Sequence, residues 1–142
     1  MKNFTIVCSE CHSVNNIKSE TEAFTCSKCQ ADLDHPFAVE VNDENCTIHI
    51  AENDIAVLVD FYSTTCGPYM AMYDDYEDAA LGFGSTVRFL KINTDKYQEV
   101  ARKYGVSALP TIIAFKSSKE VNRISKQLSQ VELNILAQSL IA

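Results

Sequence analysis

The sequence has no apolar run approaching the roughly 20 residues that cross a bilayer, so no transmembrane helix is expected. It has no internal repeat and no low-complexity tract, which leaves an ordinary folded chain as the expectation. It has no excess of positive charge. Nineteen acidic against twelve basic side chains give a formal net charge of -7, which argues against nonspecific binding to nucleic acid or to an anionic membrane. The opening stretch "MKNFTIVCSECHS" lacks a signal-peptide core, because its short apolar segment meets Cys8 at once. A cytoplasmic protein is therefore expected, in a compartment where free and metal-bound thiols outnumber structural disulfides.

What is present is a chain of 142 residues, 46% apolar and 22% charged, with room for one domain with a real core and a small appendage. Its six cysteines are unevenly placed. Cys8, Cys11, Cys26 and Cys29 crowd the first 30 residues, whereas Cys46 and Cys66 stand alone. "CSEC" and "CSKC" are two Cys-x2-Cys pairs with 14 residues between Cys11 and Cys26. Each pair can place two sulfurs on one side of a tight turn, and two such turns make the four-thiolate tetrahedron that Zn2+ prefers. The polar segment between the pairs cannot build a core, and bound metal can supply a piece this small with its folding energy. One structural zinc ion is the expected cofactor, with redox-active pairs or disulfides as the alternative. His12, directly after Cys11, is a substitute ligand on paper, but beside four cysteines it reads as a solvated turn residue, and His35 reads as a linker residue. The expected organisation is a zinc ribbon over residues 1–35 and an α/β domain over 36–142.

From residue 37 the pattern alternates between strand and helix. "FAVEV" reads as a strand, Asp43 as the cap of a helix to about Ala51, and "IAVLVDFYS" (55–63) as a central strand buried on both faces. A helix is expected from near Cys66 to about Leu81, a strand over 86–93, and a helix capped by Asp95 running through Tyr104. "PTIIAFK" and "EVNRIS" read as two strands joined at 117–119. Ser129 with Glu132 forms a capping box for a last helix that presents Leu133, Leu136 and Leu140 on one face. This order implies a sheet with parallel pairs and helices on both faces, with an antiparallel hairpin at one edge.

Three features of this part carry chemistry. In "YSTTCGPYMAM", Cys66 lies where a central strand gives way to a helix. Helix-start N–H groups favour a thiolate, the nucleophile of disulfide exchange, and Pro68 suits a first helical turn. Asp60 interrupts a run that otherwise wants burial. It reads either as a proton carrier for the thiol or as a strand-end carboxylate turned to solvent or to a backbone N–H. "SALPT" places Pro110 at the start of a strand, where a cis Leu109–Pro110 bond is an option that composition cannot decide.

Together, "VLVDFYSTTCGP" and "VRFLKINTDKYQEVARKYGVSALPTIIAF" resemble a thioredoxin domain in order and spacing, over about residues 37 to 142. With the four-cysteine segment in front, the chain is similar to the zinc-containing thioredoxin 2 type of bacteria. The resemblance implies the thioredoxin fold, a central mixed sheet of five strands flanked by four helices. It implies Cys66 as the attacking thiol, Asp60 as the buried acid behind it and Lys91 as that acid's neighbour. It also implies a substrate groove around Thr65, Gly67, Pro68, Tyr69 and Leu109, lined by a cis Pro110. Its implied partners are protein disulfides or thiol proteins, with glutathione or a thioredoxin-reductase-like reductant.

The departures concentrate at the site. The family's Trp-Cys-Gly-Pro-Cys is "TCGPY" here, so Thr65 stands for the tryptophan and Tyr69 for the resolving cysteine. Asp74 replaces a helix-kinking proline, Ala108 precedes Leu109 where a smaller residue is common, and Lys126 falls near a groove glycine. Asp74, Asp75, Glu77 and Asp78 put negative charge on the helix after Cys66, opposing the effect of its N-terminus. A phenol cannot expel a substrate from a mixed disulfide, so release needs an external thiol. Cys46 is a stand-in on paper, with a core position as the alternative. The main expectation is a monothiol oxidoreductase. A redox-inactive binding module and a zinc-linked redox sensor are the competing readings.

Overall fold

The computed structural model describes residues 4–17, 24–65, 68–84 and 86–141, without side-chain detail at Phe4 and at residues 68–71. The chain runs β1(Phe4–Val7), β2(Val14–Ile17), β3(Val39–Val41), α1(Asp43–Glu52), β4(Ala56–Tyr62), α2(Pro68–Ala80), β5(Val87–Asn93), α3(Glu99–Lys103), β6(Thr111–Lys116), β7(Lys119–Ile124) and α4(Gln130–Ile141). β1 and β2 form an antiparallel hairpin, and the other strands form one sheet in the order β3-β5-β4-β6-β7. β3, β5 and β4 are parallel, and β6 and β7 add the antiparallel edge. Among the described residues no helix is long and apolar enough to cross a membrane.

The sheet sorts its side chains by the two-residue period of a strand. Leu58, Val87, Phe89, Ile112 and Ala114 pack against Met72 and Tyr76 of α2 and Leu133, Leu136 and Leu140 of α4. Val57, Val59, Phe61, Leu90, Ile92 and Ile113 pack on the other face against Cys46 and Ile50 of α1 and Val100 of α3. All seven residues of β4 are buried, which explains its near-continuous apolar run.

Local chemistry sets the element ends. α4 opens on the expected capping box, with Glu132 N donating to Ser129 Oγ at 3.2 Å and Ser129 N to Glu132 Oε1 at 3.0 Å. α1 is capped one residue earlier than expected, by Asn42, whose side chain accepts from Asn45 N at 2.8 Å. Asp95 is not a cap. α3 is shorter than the sequence predicts and follows Gln98, while the Asp95 carboxylate turns back to Ser63 and Thr64. The β6–β7 turn puts Ser117 and Ser118 at φ 52° and 63°, the left-handed pair of a tight two-residue hairpin. Pairing then skips Val121, so Glu120 and Arg123 reach the same face and form an ion pair of 2.8 Å.

The cysteine-rich hairpin docks on the C-terminal end of α1, the α1–β4 turn and β5. Thr5 N donates to Asp54 Oδ2, Asp54 N to Thr5 O, Val7 N to Asn53 Oδ1, and Arg88 Nη2 to Val7 O, at 2.6 to 2.9 Å. Such bonds contribute about 1 kcal/mol each, and somewhat more where a charged group takes part. Apolar burial therefore has to share the work, and Ile6, Ile17 and Leu33 supply it, with Ile55 packed against them.

Candidate functional site

Two groups of residues with chemical potential lie at opposite ends of the central sheet. Val57 pairs with Arg88 at the end touching the cysteine hairpin, and Tyr62 pairs with Asn93 at the other. Five residues of strand separate these levels, roughly 17 Å.

At the first end, Cys8, Cys11, Cys26 and Cys29 bring their four sulfurs within 4.8 Å of one another. The two pairs are built alike. Cys8 N donates to Ser13 O and Cys26 N to Ala31 O, while His12 N donates to Cys8 O and Gln30 N to Cys26 O. The residue after each second cysteine, His12 or Gln30, takes a left-handed φ of 62° or 69°. Inside each turn a backbone N–H points at the first sulfur, Glu10 N at Cys8 Sγ (3.3 Å) and Lys28 N at Cys26 Sγ (3.4 Å). Asn15 Nδ2 adds a second donor to Cys26 Sγ at 3.5 Å.

These donors stabilise negative sulfur. Burial opposes ionisation of Cys26, but the N–H groups of Cys29 and Lys28 and the Asn15 amide outweigh it and bring that thiol down to about 6. Cys29 behaves oppositely. An N–H from Ala31 favours its thiolate, yet burial and the three neighbouring sulfurs push it up to about 12. Four sulfurs this close share negative charge only if a cation sits among them. The Cys8–Cys29 and Cys11–Cys26 separations are both 3.6 Å. A disulfide needs about 2.05 Å, whereas a regular tetrahedron with metal–sulfur bonds of about 2.3 Å needs about 3.8 Å. The four sulfurs form no disulfide and lie close enough together to hold a metal ion.

At the second end β4 finishes at Tyr62 and α2 begins at Pro68. Cys66 and Gly67 lie outside the described residues, as do the side chains of Pro68 and Tyr69. The approach to Cys66 is well fixed. Asp95 accepts from Ser63 Oγ (2.7 Å), Thr64 N (3.1 Å) and Thr64 Oγ1 (3.1 Å), and Ser63 Oγ lies 2.8 Å from Thr65 Oγ1. Thr65 is exposed. Phe61 pairs with Thr111, so the Leu109–Pro110 peptide, which is cis, lies beside the end of β4. A cleft lined by Thr94, Gln98, Val106, Ser107 and Leu109 opens at this end.

Behind the loop, Asp60 is 5% exposed and its Oδ1 has no hydrogen-bond partner. This discards the solvent-facing alternative. Burial pushes its carboxyl up to about 7, with Lys91 pulling down and Glu40 pushing up. Lys91 stands opposite Asp60 in the β4–β5 register, but its ammonium is bonded to Glu77 of α2 and lies 4.4 Å from the centre of the Tyr73 ring. The neighbour that the resemblance gave to Asp60 is therefore hydrogen-bonded to a different acid. Cys46 lies in the α1-side core and does not present a nucleophile. Burial, then Asp43, pushes its thiol up to about 12.

Glu77 and Arg88 were not singled out from the sequence. Glu77 reads as one of several acids on a solvated helix face, and only the packing of α2 on β5 selects it. Arg88 carried a signal: a cation inside the strand "VRFL", which is otherwise apolar.

The comparisons with known proteins agree with this geometry. The thioredoxin family model matches residues 37–139. Thioredoxin C-3 of Corynebacterium nephridii is 30% identical over 130 residues, 90% of this chain and 89% of that relative. Probable thioredoxin-2 of Caenorhabditis elegans is 32% identical over 99 residues, covering 70% of this chain and 68% of that one. A solved mutant thioredoxin from Halobacterium salinarum superposes with a TM-score of 0.68 at 26% identity, over 75% of this chain and 93% of its own. A five-stranded mixed sheet with helices on both faces and a cis-proline beside the β4–α2 loop defines a thioredoxin fold. The chain belongs to the thioredoxin family of thiol–disulfide oxidoreductases. Thioredoxins act on proteins that carry thiols or disulfides.

Proposed function

We propose that this protein exchanges disulfides through Cys66 alone and carries a structural zinc ion on Cys8, Cys11, Cys26 and Cys29. The observation that supports the first part is the joint placement of three features at one end of the sheet. These are the β4–α2 connection, to which Cys66 belongs in sequence, the cis Leu109–Pro110 peptide beside the end of β4, and the buried Asp60. In this reading the Cys66 thiolate attacks one sulfur of a protein disulfide. The substrate S–S bond breaks, its other sulfur leaves as a thiolate, and a Cys66–substrate disulfide forms. Tyr69 has no thiol to reverse this. One external thiol, such as glutathione, attacks Cys66 Sγ and frees the second substrate thiol, and a second one regenerates Cys66 and departs as its own disulfide. Thr65, Gly67, Pro68, Tyr69, Leu109 and Pro110 would form the wall that receives the substrate, with Asp60 as the proton carrier and Lys91 tuning it.

Zinc at the four thiols would close a cysteine-rich piece, residues 1–35, ahead of the thioredoxin domain, 36–142. The N–H donors at Cys8 and Cys26 and the 3.6 Å sulfur spacing support that reading. Such a thiol inventory fits a reducing, cytoplasmic setting. One observation favours the competing reading of a binding module without turnover. Lys91 is held by Glu77, which leaves Asp60 without a hydrogen-bonded cation.

The test is intact mass after incubating the zinc-loaded protein with a disulfide substrate. An adduct is expected that glutathione releases and that Cys66→Ser abolishes. Absence of any adduct across a range of disulfides leaves the binding module as the account. Tyr69→Cys should then give multiple-turnover reduction, provided the rest of the groove is competent.

A further inference from the structure

Arg88 is the largest fully buried side chain of the molecule's described residues, 1% exposed, on β5 where the cysteine hairpin meets the sheet. Its Nη2 donates to Val7 O at 2.9 Å, one residue before Cys8. Its Nε and Nη1 have no hydrogen-bond partner. No carboxylate pairs with it among the described residues: the ion pairs there are Lys91–Glu77, Arg123–Glu120 and Lys126–Glu132. The groups that share its field are Cys8, Asp34, His12, His35 and His49. Asp34 is exposed, and the three histidines are no source of negative charge. A buried cation without a counter-charge is costly to keep. What lies next to it is the cysteine cluster, which becomes anionic when four thiolates surround one divalent ion.

We infer that Arg88 is the buried counter-charge of the metal–thiolate centre, and that it ties metal occupancy to the central sheet. This rests on the reading of the four cysteines as a metal site. It assigns to β5 a positioning residue for that site: Arg88 touches the backbone beside the first ligand, not the metal. The sheet and the cysteine hairpin then stabilise each other through charge as well as through the Arg88–Val7 hydrogen bond.

The test uses the full chain and zinc alone, titrated in competition with a chromophoric chelator. Arg88→Gln removes the charge on a shorter polar side chain, whereas Arg88→Lys keeps the charge on a long stem. Arg88→Gln should bind zinc about tenfold more weakly or worse, the range typical when a group supporting metal ligands is lost. Arg88→Lys should stay near the wild type. The zinc-dependent rise in Tm should shrink in Arg88→Gln and persist in Arg88→Lys. Equal zinc affinity in Arg88→Gln and wild type overturns the inference. So does equal weakening in both variants, which would assign the effect to packing. If Arg88→Gln does not fold without metal, it is refolded in zinc and release to excess chelator is followed, with about tenfold faster loss expected. A wild-type chain that binds no zinc overturns the metal reading itself, and the inference with it.

Discussion

Lys91 and Arg88 lie three residues apart on β5, both buried and on opposite faces of the same sheet. Around Lys91 there are two acids for one cation. Glu77 takes the ammonium, and Asp60, directly across the register, is left with an unbonded oxygen. Around Arg88 there is one cation and no buried carboxylate among the described residues. The core thus has a surplus of acid at one level and a deficit a few residues away, and a chain-wide count of charge reveals neither. A buried carboxyl can answer its surplus by holding a proton, which burial encourages in Asp60. A guanidinium cannot give up its proton at ordinary pH, so Arg88 needs negative charge brought to it.

Asp60→Asn breaks the acid side of this comparison and has the largest expected effect. Asp60 is raised from 3.8 to about 7 in the folded protein. Between those values the folded state keeps a proton that the unfolded state has released, so wild-type stability falls as pH rises from about 4 to 7. Asp60→Asn removes that loss. Its stability relative to wild type should climb over this window and level off above it, by roughly 2–4 kcal/mol. Denaturant unfolding across pH checks this, and parallel curves for the two proteins would contradict it.

Glu77→Gln sharpens the comparison by making the two cations alike. Lys91 loses its acid partner, which should destabilise the fold by about 1–3 kcal/mol, since the pair is largely shielded from water. Lys91 is then free to engage Asp60, so the pH-dependent loss of stability should become smaller and shift to lower pH. The same unfolding series reads both effects. Unchanged pH dependence would mean that Glu77 does not hold Lys91 from Asp60.

Asp34→Asn is the smallest test. Its carboxylate acts on Arg88 from an exposed position, where water and salt weaken it. A stability change within about 0.5 kcal/mol is expected. A loss of several kcal/mol on thermal unfolding would make Asp34 the real counter-charge of Arg88.

Much of the framework was legible because it depends on short-range pattern. The apolar run of β4, the Ser129–Glu132 capping box and the Leu133, Leu136, Leu140 face each follow from a period or a spacing that one element contains. Asp95 departs from the sequence expectation for a physical reason. An aspartate ahead of a helical pattern is a good cap in isolation, but here Ser63 and Thr64 arrive from β4 and claim its oxygens. The β1–β2 hairpin went unread because four-residue strands give too little alternation, and its stability comes from docking on Asn53, Asp54 and Ile55. The thiol sites differ in the same way. Four cysteines in two like turns declare themselves by spacing, whereas the protonation of Asp60 depends on which helix residue reaches Lys91.

The sequence by itself determined the alternation of strands and helices, the buried central strand, the paired cysteine turns and a lone Cys66 followed by Gly67, Pro68 and Tyr69. These are properties of residues that are neighbours along the chain. Only the tertiary structure decided which charge meets which. Lys91 reaches Glu77 across 14 residues and Arg88 reaches Val7 across 81. Strand register and helix packing fix those encounters, and the low dielectric of the core makes each of them matter.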